Sequence, residues 1–441
     1  MLVKKHLGIL LVFIFFFSIF TYHTLYRHWT YNSHAFDLGI YTQVIYLYSQ
    51  GLTPLSTLKH MNILGDHFGV ILFLLSPIYK LFPFPEALLV IQALFVSLSG
   101  IFIYLIALDK LKDKLKTILI TGVYLSFSGI LTAVNFDFHL ATLSVLPLSI
   151  MLYSWYFKKW KLYFISLFLG LLFKEDVPLF IVGLGLFAIL KKQRRLGVLT
   201  VIFGLLSYHI IKYQIMGRIS PGAENAYINT VSFSSISSMF DSPTKIHTLK
   251  SLYGQFLFLP FLSLLSWLTI IPYLFIRFSS TQPHYWGLNF HYNANLAPFL
   301  ATSAIFVLSK IQIPRYQMIA YLIVALTTEN LFFNKFVSNT LQFNIQATQR
   351  FNYINNALQT FPTEAAISAQ SPIVPHLSNR NKVYLYPEVL DADYIIVDEK
   401  LNHYPMKVNE FEDRIASIKT SSEWILEKQV NSLLIFRRVR S

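Results

Sequence analysis

The residues best suited to chemistry are acidic side chains that follow apolar segments, each with another polar group nearby. They occur in four short stretches: NSHAFDLGIY with Asp37, LGDHFG with Asp66 and His67, NFDFH with Asp137 and His139, and FKEDVP with Lys174, Glu175 and Asp176. A carboxylate can act as the general base that removes a proton from an attacking hydroxyl. Several carboxylates can instead hold a divalent cation against a phosphate leaving group. No spacing in the chain resembles a zinc motif, a Walker loop or a nucleophile elbow.

Each stretch also has a purely structural interpretation. Asp37 and Asp66 are good N-caps, and AFDLGIYTQVIYLYSQG has the pattern of an amphipathic helix lying along a membrane. NFDFH is harder to explain as a turn, which would more easily use Gly, Asn or Ser. FKEDVP can be a hairpin turn, but arms of 12 and 14 residues leave its charges near or below the outer interface. Charges at that depth are costly and usually functional, so we interpret Lys174, Glu175 and Asp176 as part of a site.

The elements that position these residues are membrane spans. Of the 441 residues, 54% are hydrophobic and only 13% are charged, whereas about a quarter of a soluble protein is charged. Apolar runs of spanning length recur up to about residue 334. The chain has no cysteine, which excludes disulfides, thiol catalysis and Cys-ligated metals.

The positive charge is concentrated in the part of the chain that crosses the membrane. Residues 1–334 hold 24 Lys and Arg against 11 Asp and Glu, and residues 335–441 hold 12 against 11. Such an excess sets the orientation of the spans and contacts anionic membrane lipids. We therefore expect membrane lipids, and no nucleic acid, as partners.

The basic clusters also predict the sidedness of each segment. Lys4 and Lys5 place the N-terminus in the cytoplasm, followed by an uncleaved first span at residues 7–26. Residues 27–67 are then the first external loop, and 68–84 form a juxtamembrane or re-entrant segment. DKLKDKLK, KKWK and KKQRR fall on the cytoplasmic side. The acids on the other side are Asp37, Asp66, Asp137, Glu175 and Asp176. The crossings predicted between the basic clusters and the outer face are residues 86–108, 117–134, 140–157, 162–173, 177–190 and 196–216.

Two topologies are open beyond the external loop at residues 217–250, which carries Arg218. The segment LYGQFLFLPFLSLLSWLTIIPYLFIRF is either one span or two half-spans bent around Pro260–Ser266. The two-part version, which the positive-inside rule favours, brings HYWGLNFHY with His291 and Tyr292 to the outer face. It also delivers the C-terminal tail outside, whereas the one-span version reverses these placements.

The tail, residues 335–441, has the texture of a small soluble α/β domain. EAAISAQ, NKVYLYP, ADYIIVDEK and SLLIFRRV are short β-rich runs, and NEFEDRIASIK has helical spacing. The predicted fold class is therefore an all-α polytopic membrane protein with about 9–11 transmembrane or re-entrant segments over residues 1–334. A C-terminal extracytoplasmic α/β domain follows at 335–441.

The stretches FDLGIYTQ, GDHFGVILFLLSPIYKLFP, NFDFHLATL, LFKEDVPLFIVGLGLF, FHYNANLAPFL and ISAQSPIVPHLSNRNKVYLYP occur together over residues 30–400. In combination they resemble a prokaryotic family of predicted polytopic membrane proteins that looks like a branch of the GT-C membrane glycosyltransferase superfamily. The resemblance implies transfer of a sugar from a polyprenyl-phosphate donor on the outer face of a cell membrane. It also implies that an acid in the first external loop, here Asp37, acts as base or metal ligand. The family motif after Asp137 usually continues His-Pro-Glu, whereas Leu140 and Ala141 follow His139 here.

The favoured function is thus a glycosyltransferase of the cell envelope that uses a lipid-linked sugar donor, with Asp37 as the catalytic residue. The expected substrate-binding residues are Asp66, His67, Asp137, His139, Lys174, Glu175, Asp176, Arg218, His291 and Tyr292, of which Lys174, Arg218 and His291 would hold the donor phosphate. A divalent cation, Mg²⁺ or Mn²⁺, is left open as cofactor, with Asp37 and Asp137 as candidate ligands. In the tail, His376 and Arg380 either bind acceptor or belong to a purely structural module.

Two other classes of function remain open. A transporter or flippase of a lipid-linked or envelope substrate would want ionisable groups near mid-bilayer and two repeated halves, and the sequence has neither pattern. A non-catalytic envelope-assembly protein would not depend on Asp37.

Overall fold

The computed structural model describes residues 2–220, 236–311, 314–328, 336, 338, 348–349 and 351–439. Residues 221–235 of loop 217–250 and the predicted domain boundary at 334/335 lie outside this part of the chain. The α-helices are Leu2–Trp29, Ile40–Ser49, Ile63–Asp66, Ile71–Leu81, Pro85–Leu111, Lys114–Leu125, Ser128–Phe136, Leu140–Tyr156, Trp160–Leu171, Val177–Leu190, Arg194–His209, Gly217–Ile219, Pro243–Gly254, Leu264–Phe278, Ala297–Leu308, Arg315–Thr328, Asn352–Leu358, Val374–Leu377 and Val408–Thr420. Shorter helical turns occupy Ala35–Gly39, Ile210–Met216, Ile236–Met239, Leu259–Leu262, Pro283–Tyr285 and Ala294–Leu296.

Apolar composition accounts for the long helices. Leu7–Trp29, Pro85–Leu111 and Arg194–Ile219 are long and apolar enough to cross a membrane. The pair Lys114–Leu125 and Ser128–Phe136, bent by 44°, makes a fourth candidate if it is counted as one span. Shorter apolar helices supply the other segments, which confirms the all-α polytopic architecture.

Two predicted segments are broken. The predicted span 117–134 bends at Ser126–Phe127, where the Gln255 side chain accepts hydrogen bonds from the backbone N and the Oγ of Ser128, both at 2.8 Å. The segment after residue 250 is interrupted between Gly254 and Leu264, as the two-part prediction requires. Its sidedness stays a prediction.

The chain forms two compact units. The first, called the helical unit, comprises Met1–Thr21, Leu64–Gly69 and Gln92–Leu341. Within it, glycines let two helices approach closely: a Cβ atom on Gly185 would lie 2.9 Å from the carbonyl oxygen of Gly197. Small residues of this kind allow membrane helices to pack tightly, and here they fix Val177–Leu190 against Arg194–His209.

The second, called the C-terminal unit, comprises Tyr22–Ile63, Val70–Ile91 and Gln342–Ser441. The predicted first external loop therefore belongs to the same unit as the C-terminal α/β domain. Side chains tie the two together: Gln43 Nε2 donates to the backbone oxygen of Asn381 at 3.1 Å, and Thr57 Oγ1 donates to that of Val383 at 2.6 Å. The composition of the loop gave no indication of this grouping.

The seven strands found among the described residues form two sheets, both in the C-terminal unit. They are β1 Leu55–Ser56, β2 Met61–Asn62, β3 Ile367–Ala369, β4 Val383–Leu385, β5 Tyr394–Asp398, β6 Trp424–Val430 and β7 Leu433–Arg438. β1 and β2 form a small antiparallel pair, and the other strands have the order β4-β3-β5-β7-β6. β3 is parallel to β4 and β5, whereas β7 is antiparallel to β5 and β6.

The helix Val408–Thr420 covers this sheet with Phe411 and Ile415, which pack in a buried cluster with Ile395 and Phe436. The predicted α/β character of the tail is confirmed. The sequence analysis missed β6, because this edge strand is mostly exposed and lacks the continuous apolar run of its neighbours.

Candidate functional site

Asp37 lies in the C-terminal unit, on the irregular turn Ala35–Gly39 that precedes the helix Ile40–Ser49. Its backbone has φ +71° and ψ −84°, which is a strained conformation for a residue other than glycine. The N-cap of the helix is Gly39 and no side chain caps it, so the N-cap interpretation of Asp37 is wrong. Strained residues cluster at functional sites, and this favours a chemical role for the carboxylate.

Residues of the α/β domain hold the turn in place. The backbone N of Ala35 donates to Ser371 Oγ at 3.2 Å. Gly39 packs so closely on the segment Val374–Leu377 that an added Cβ would lie 2.9 Å from a methyl group of Val374. The conformation of Asp37 is therefore supported from both ends of its turn.

In the helical unit, the predicted residues His67 and Glu175 form an ion pair. His67 Nδ1 lies 3.0 Å from Glu175 Oε1, and the backbone N of Phe68 donates to Glu175 Oε2 at 3.1 Å. The two stretches LGDHFG and FKEDVP, which are more than a hundred residues apart, thus meet through one carboxylate. An ion pair between the two side chains requires a protonated imidazole, and the charged groups around His67 favour that form.

The protonation of this pair follows from its surroundings. Burial acts to lower the pKa of His67, but Glu175 and Asp66 outweigh it and the pKa is raised. Burial acts to raise the pKa of Glu175, but His67 and Lys174 outweigh it and the pKa lies well below its ordinary value. Both shifts therefore favour the charged form of the group.

The opposite shifts predict a pH window for stability. Because folding raises the pKa of His67, this group contributes its full stabilisation below the unfolded histidine pKa of about 6.5. The contribution is lost as the pH rises through the folded-state pKa. Because folding lowers the pKa of Glu175, this group contributes its full stabilisation above the unfolded glutamate pKa of about 4.3. The contribution is lost as the pH falls through the folded-state pKa. Glu175→Gln should therefore lower the free energy of unfolding by about 1.5–3 kcal/mol, with the largest effect between about pH 4.3 and about pH 6.5. Thermal unfolding in detergent from pH 4 to 9 measures this, and a difference from wild type that grows steadily above pH 7 would contradict it.

Lys174, which is buried, and Asp176, which is partly buried, form a second ion pair, with 3.5 Å between Lys174 Nζ and Asp176 Oδ2. Burial acts to lower the pKa of Lys174, but Asp176 and Glu175 outweigh it and raise the pKa. Burial raises the pKa of Asp176. Although Asp176 directly precedes the helix Val177–Leu190, its side chain does not cap it, and Oδ1 has no hydrogen-bond partner among the described residues. A turn would not require such a group, so the structure favours the functional interpretation of FKEDVP.

His139 and His291 stack on each other in the same unit, with ring centroids 3.2 Å apart and planes 9° from parallel. His139 Nδ1 accepts a hydrogen bond from the backbone N of Ala141 at 3.0 Å, which leaves Nε2 as the nitrogen that carries the proton in the neutral ring. Burial, followed by neighbouring positive groups, lowers the pKa of both imidazoles well below the ordinary value. Two neutral imidazoles side by side can hydrogen-bond a substrate.

Two residues that the sequence analysis missed hold these histidines in place. Gln92 clamps the turn before His139: its Nε2 donates to the backbone oxygen of Asp137 at 2.9 Å, and its Oε1 accepts from the backbone N of His139 at 2.8 Å. Arg277 clamps the loop that carries His291. The signal was a lone polar residue within an apolar helix, which membrane proteins rarely keep without a purpose.

Arg277 is only 7% exposed and reaches four acceptors on that loop. Its Nη1 donates to Asn293 Oδ1 at 2.6 Å and to the backbone oxygen of Tyr292 at 3.3 Å. Its Nη2 donates to the backbone oxygen of Gly287 at 2.6 Å, and its Nε donates to that of Tyr285. One guanidinium therefore determines the path of the chain up to His291.

The other predicted residues take varied positions. Asp66 ends the short helix Ile63–Asp66 beside His67, and Asp137 is buried. The Tyr292 ring lies 4.3 Å from that of His291. Arg218 is exposed on the turn Gly217–Ile219, and residues 221–235 of its predicted loop lie outside the described residues.

In the tail, the structure gives His376 and Arg380 structural roles. The ring of His376 stacks on Tyr31 at 4.2 Å. Arg380 Nη1 donates to the backbone oxygens of Pro362 and Ala365 at 3.1 and 2.9 Å. Of the two interpretations of these residues, the structural module is the one that these contacts support.

An apolar groove of about 1060 Å³ lies elsewhere in the helical unit. Its walls come from the helices Pro243–Gly254 and Leu264–Phe278 and the turn between them. Aromatic and leucine side chains dominate the lining, among them Phe240, Tyr253, Phe258, Phe261, Leu262 and Trp267. Lys250 is the charged side chain among the lining residues that the structure describes. A groove of this kind suits a long hydrocarbon chain with a polar head.

Comparison with known proteins gives a family and a fold. The model of a family described as "Predicted membrane protein (DUF2079)" matches residues 27–435. No curated protein is significantly similar in sequence. The crystal structure of ArnT from Cupriavidus metallidurans bound to undecaprenyl phosphate is similar with a TM-score of 0.60 and 11% identity, covering 100% of this chain and 99% of that one. Apo ArnT from the same organism gives a TM-score of 0.57 and 11% identity, covering 92% and 94%. The likeness confirms the GT-C-like fold.

Proposed function

The chain belongs to the DUF2079 family of predicted membrane proteins, and from this and its fold we propose that it is a membrane glycosyltransferase. It would transfer a sugar from a polyprenyl-phosphate donor to an acceptor on the outer face of the membrane. The observation that carries the proposal is the similarity in fold to ArnT over the whole chain, because that protein was crystallised with undecaprenyl phosphate. The strained acid Asp37, in the first loop after the first span, adds independent support.

The proposed chemistry begins with Asp37. Its carboxylate removes the proton from the acceptor hydroxyl, and the hydroxyl oxygen attacks the anomeric carbon of the donor sugar. The bond between that carbon and the phosphate oxygen breaks, and polyprenyl phosphate leaves with the bonding electrons. Positive charge must then meet the leaving phosphate.

The buried ammonium of Lys174 is our candidate for this charge. It is held by Asp176 rather than by solvent, so a phosphate oxygen can take the place of the carboxylate at little cost in reorganisation. The raised pKa of Asp176 makes proton uptake at that carboxylate the natural response to an incoming anion. The apolar groove near Lys250 is the proposed site of the polyprenyl tail.

For a divalent cation, the proposal names only the side chains that could bind it. Ring nitrogens of His139 and His291 lie within 4.8 Å of each other, a separation that one ion can bridge. His139 could bind the ion only in its other tautomer, in which Nδ1 carries the proton and no longer accepts from the backbone N of Ala141. Mg²⁺ and Mn²⁺ both prefer oxygen ligands, so two imidazoles alone do not make a good site for either ion and carboxylates would have to complete it. Such an ion would supply Lewis-acid stabilisation of the leaving phosphate.

Transfer of sugar by the purified protein in lipid tests the proposal. Radiolabelled polyprenyl-phosphate sugars, with hexose and pentose headgroups, are offered in turn with an envelope extract as acceptor source. Transfer of label to an acceptor is the expected result. The absence of both transfer and lipid-sugar binding across the panel would favour the transporter or assembly functions instead.

A further inference from the structure

The C-terminal unit contains a second cavity, of about 890 Å³, that the proposed chemistry does not use. It lies between the C-terminal turn of the helix Leu2–Trp29 and the loop that follows β5. All its lining residues belong to this one unit. It is large enough for a molecule of one or two sugar rings.

The sheet topology favours a ligand at this position. From β3 the chain passes to β4 on one side, and then returns to place β5 on the other side of β3. The strand order thus reverses between β3 and β5, both of which run parallel. In open α/β sheets, ligands bind outside the carboxyl ends of the strands at such a switch point. The cavity borders the carboxyl end of β5, at Asp398.

The carboxylate of Asp398 organises hydroxyl groups on the cavity wall. Tyr353 donates its hydroxyl hydrogen to Asp398 Oδ2 at 2.6 Å, and Ser432 donates to the same oxygen at 2.9 Å. With their hydrogens directed to the carboxylate, both hydroxyl oxygens can act as acceptors. Asn402 complements them, because its Oδ1 accepts from the backbone N of Tyr404, and its NH₂ group is left as a donor.

The remaining wall is aromatic, with Tyr26, Tyr31 and Phe351 beside Tyr353. Flat rings bind the C–H faces of a sugar, while acceptors and donors at fixed positions bind its hydroxyl groups. The charged lining residues are Asp398, Glu399 and Lys400, so acids outnumber bases. This balance disfavours an anionic ligand.

We propose that this cavity binds an uncharged sugar. If the chain is a glycosyltransferase, the sugar would be part of the acceptor, and that assignment alone rests on the proposed function. Binding itself does not depend on transfer.

The test is saturation-transfer NMR on the full chain in lipid nanodiscs. The probes are the methyl glycosides of glucose, galactose, mannose and N-acetylglucosamine, with methyl glucuronide as the charged counterpart of methyl glucoside. At least one neutral glycoside should receive saturation and bind more tightly than the glucuronide. Phe351→Ala should lower its affinity by roughly 2- to 12-fold, the equivalent of one aromatic contact, and Asn402→Ala should also weaken it.

Tyr316→Ala, which removes a 70% exposed tyrosine of the helical unit, is the control and should leave binding unchanged. Saturation of no neutral glycoside, tighter binding of the glucuronide, or equal affinity in all variants would overturn the proposal. Asp37→Asn distinguishes the sugar site from the proposed transferase activity, because it should lower sugar transfer and leave glycoside binding unchanged. A protein that binds the glycoside but transfers no sugar, even as wild type, would contradict the transferase and retain the sugar site.

Discussion

Asp37→Asn is expected to lower the rate of sugar transfer by a factor of about 10²–10⁴, the usual contribution of a general base. Asparagine has nearly the shape of aspartate but cannot take up the proton. It also tolerates a positive φ better than most residues, so the turn Ala35–Gly39 should keep its conformation. The measurement is the initial rate of transfer from the best polyprenyl-phosphate sugar, with donor binding and thermal unfolding recorded on the same sample.

Asp241→Asn provides the matched control, because it removes an acid whose side chain is 53% exposed and which pairs with Lys245. It should transfer at close to the wild-type rate. Near-normal transfer by Asp37→Asn would eliminate Asp37 as the base and redirect the search to Asp176. A rate lost together with donor binding would indicate a binding role instead.

Arg277→Met should destabilise the helical unit by about 1.5–3 kcal/mol, the range for losing buried hydrogen bonds that involve a charged group. Methionine retains much of the volume but none of the donors, so the carbonyls of Tyr285, Gly287 and Tyr292 lose their shared partner. Buried acceptors without a partner are costly, and the loop that carries His291 should become mobile. Thermal unfolding in detergent and limited proteolysis within residues 280–293 measure the two effects.

Arg315→Met is the comparison. Arg315 is 66% exposed and pairs with Asp113 at 2.5 Å, so the loss should stay below about 1 kcal/mol. Equal effects of the two variants would mean that burial of Arg277 contributes nothing beyond an exposed pair. Arg277→Lys distinguishes charge from geometry, since lysine keeps the charge but cannot reach all four acceptors.

Helices bounded by charge could be predicted closely from the sequence. The segment 177–190 was predicted between KED and KKQRR, and the helix runs from Val177 to Leu190. The break before Leu264 was predictable because Pro260 marks it. The bend at Ser126–Phe127 was not, because the side chain that binds the start of the following helix there, Gln255, is far away in sequence.

In the candidate site, too, the sequence identifies individual residues but not the contacts between distant ones. The unusual polarity of FKEDVP identified Lys174–Asp176, and LGDHFG identified His67, since each interrupts an apolar run. That Glu175 pairs with His67 could not be predicted, because no periodicity relates positions so far apart. Gln92 and Arg277 stand out locally as lone polar residues of apolar helices, but their partners are backbone groups of other segments and could not be predicted.

At Asp37 the demands of stability and of chemistry oppose each other. Glycine adopts φ +71° without strain, whereas aspartate gives up about 1–3 kcal/mol to hold it. Selection for heat resistance alone would therefore drive this position toward glycine and remove the carboxylate. An engineered thermostable variant that changes residue 37 would gain its stability by discarding the one acid that the turn is built to present.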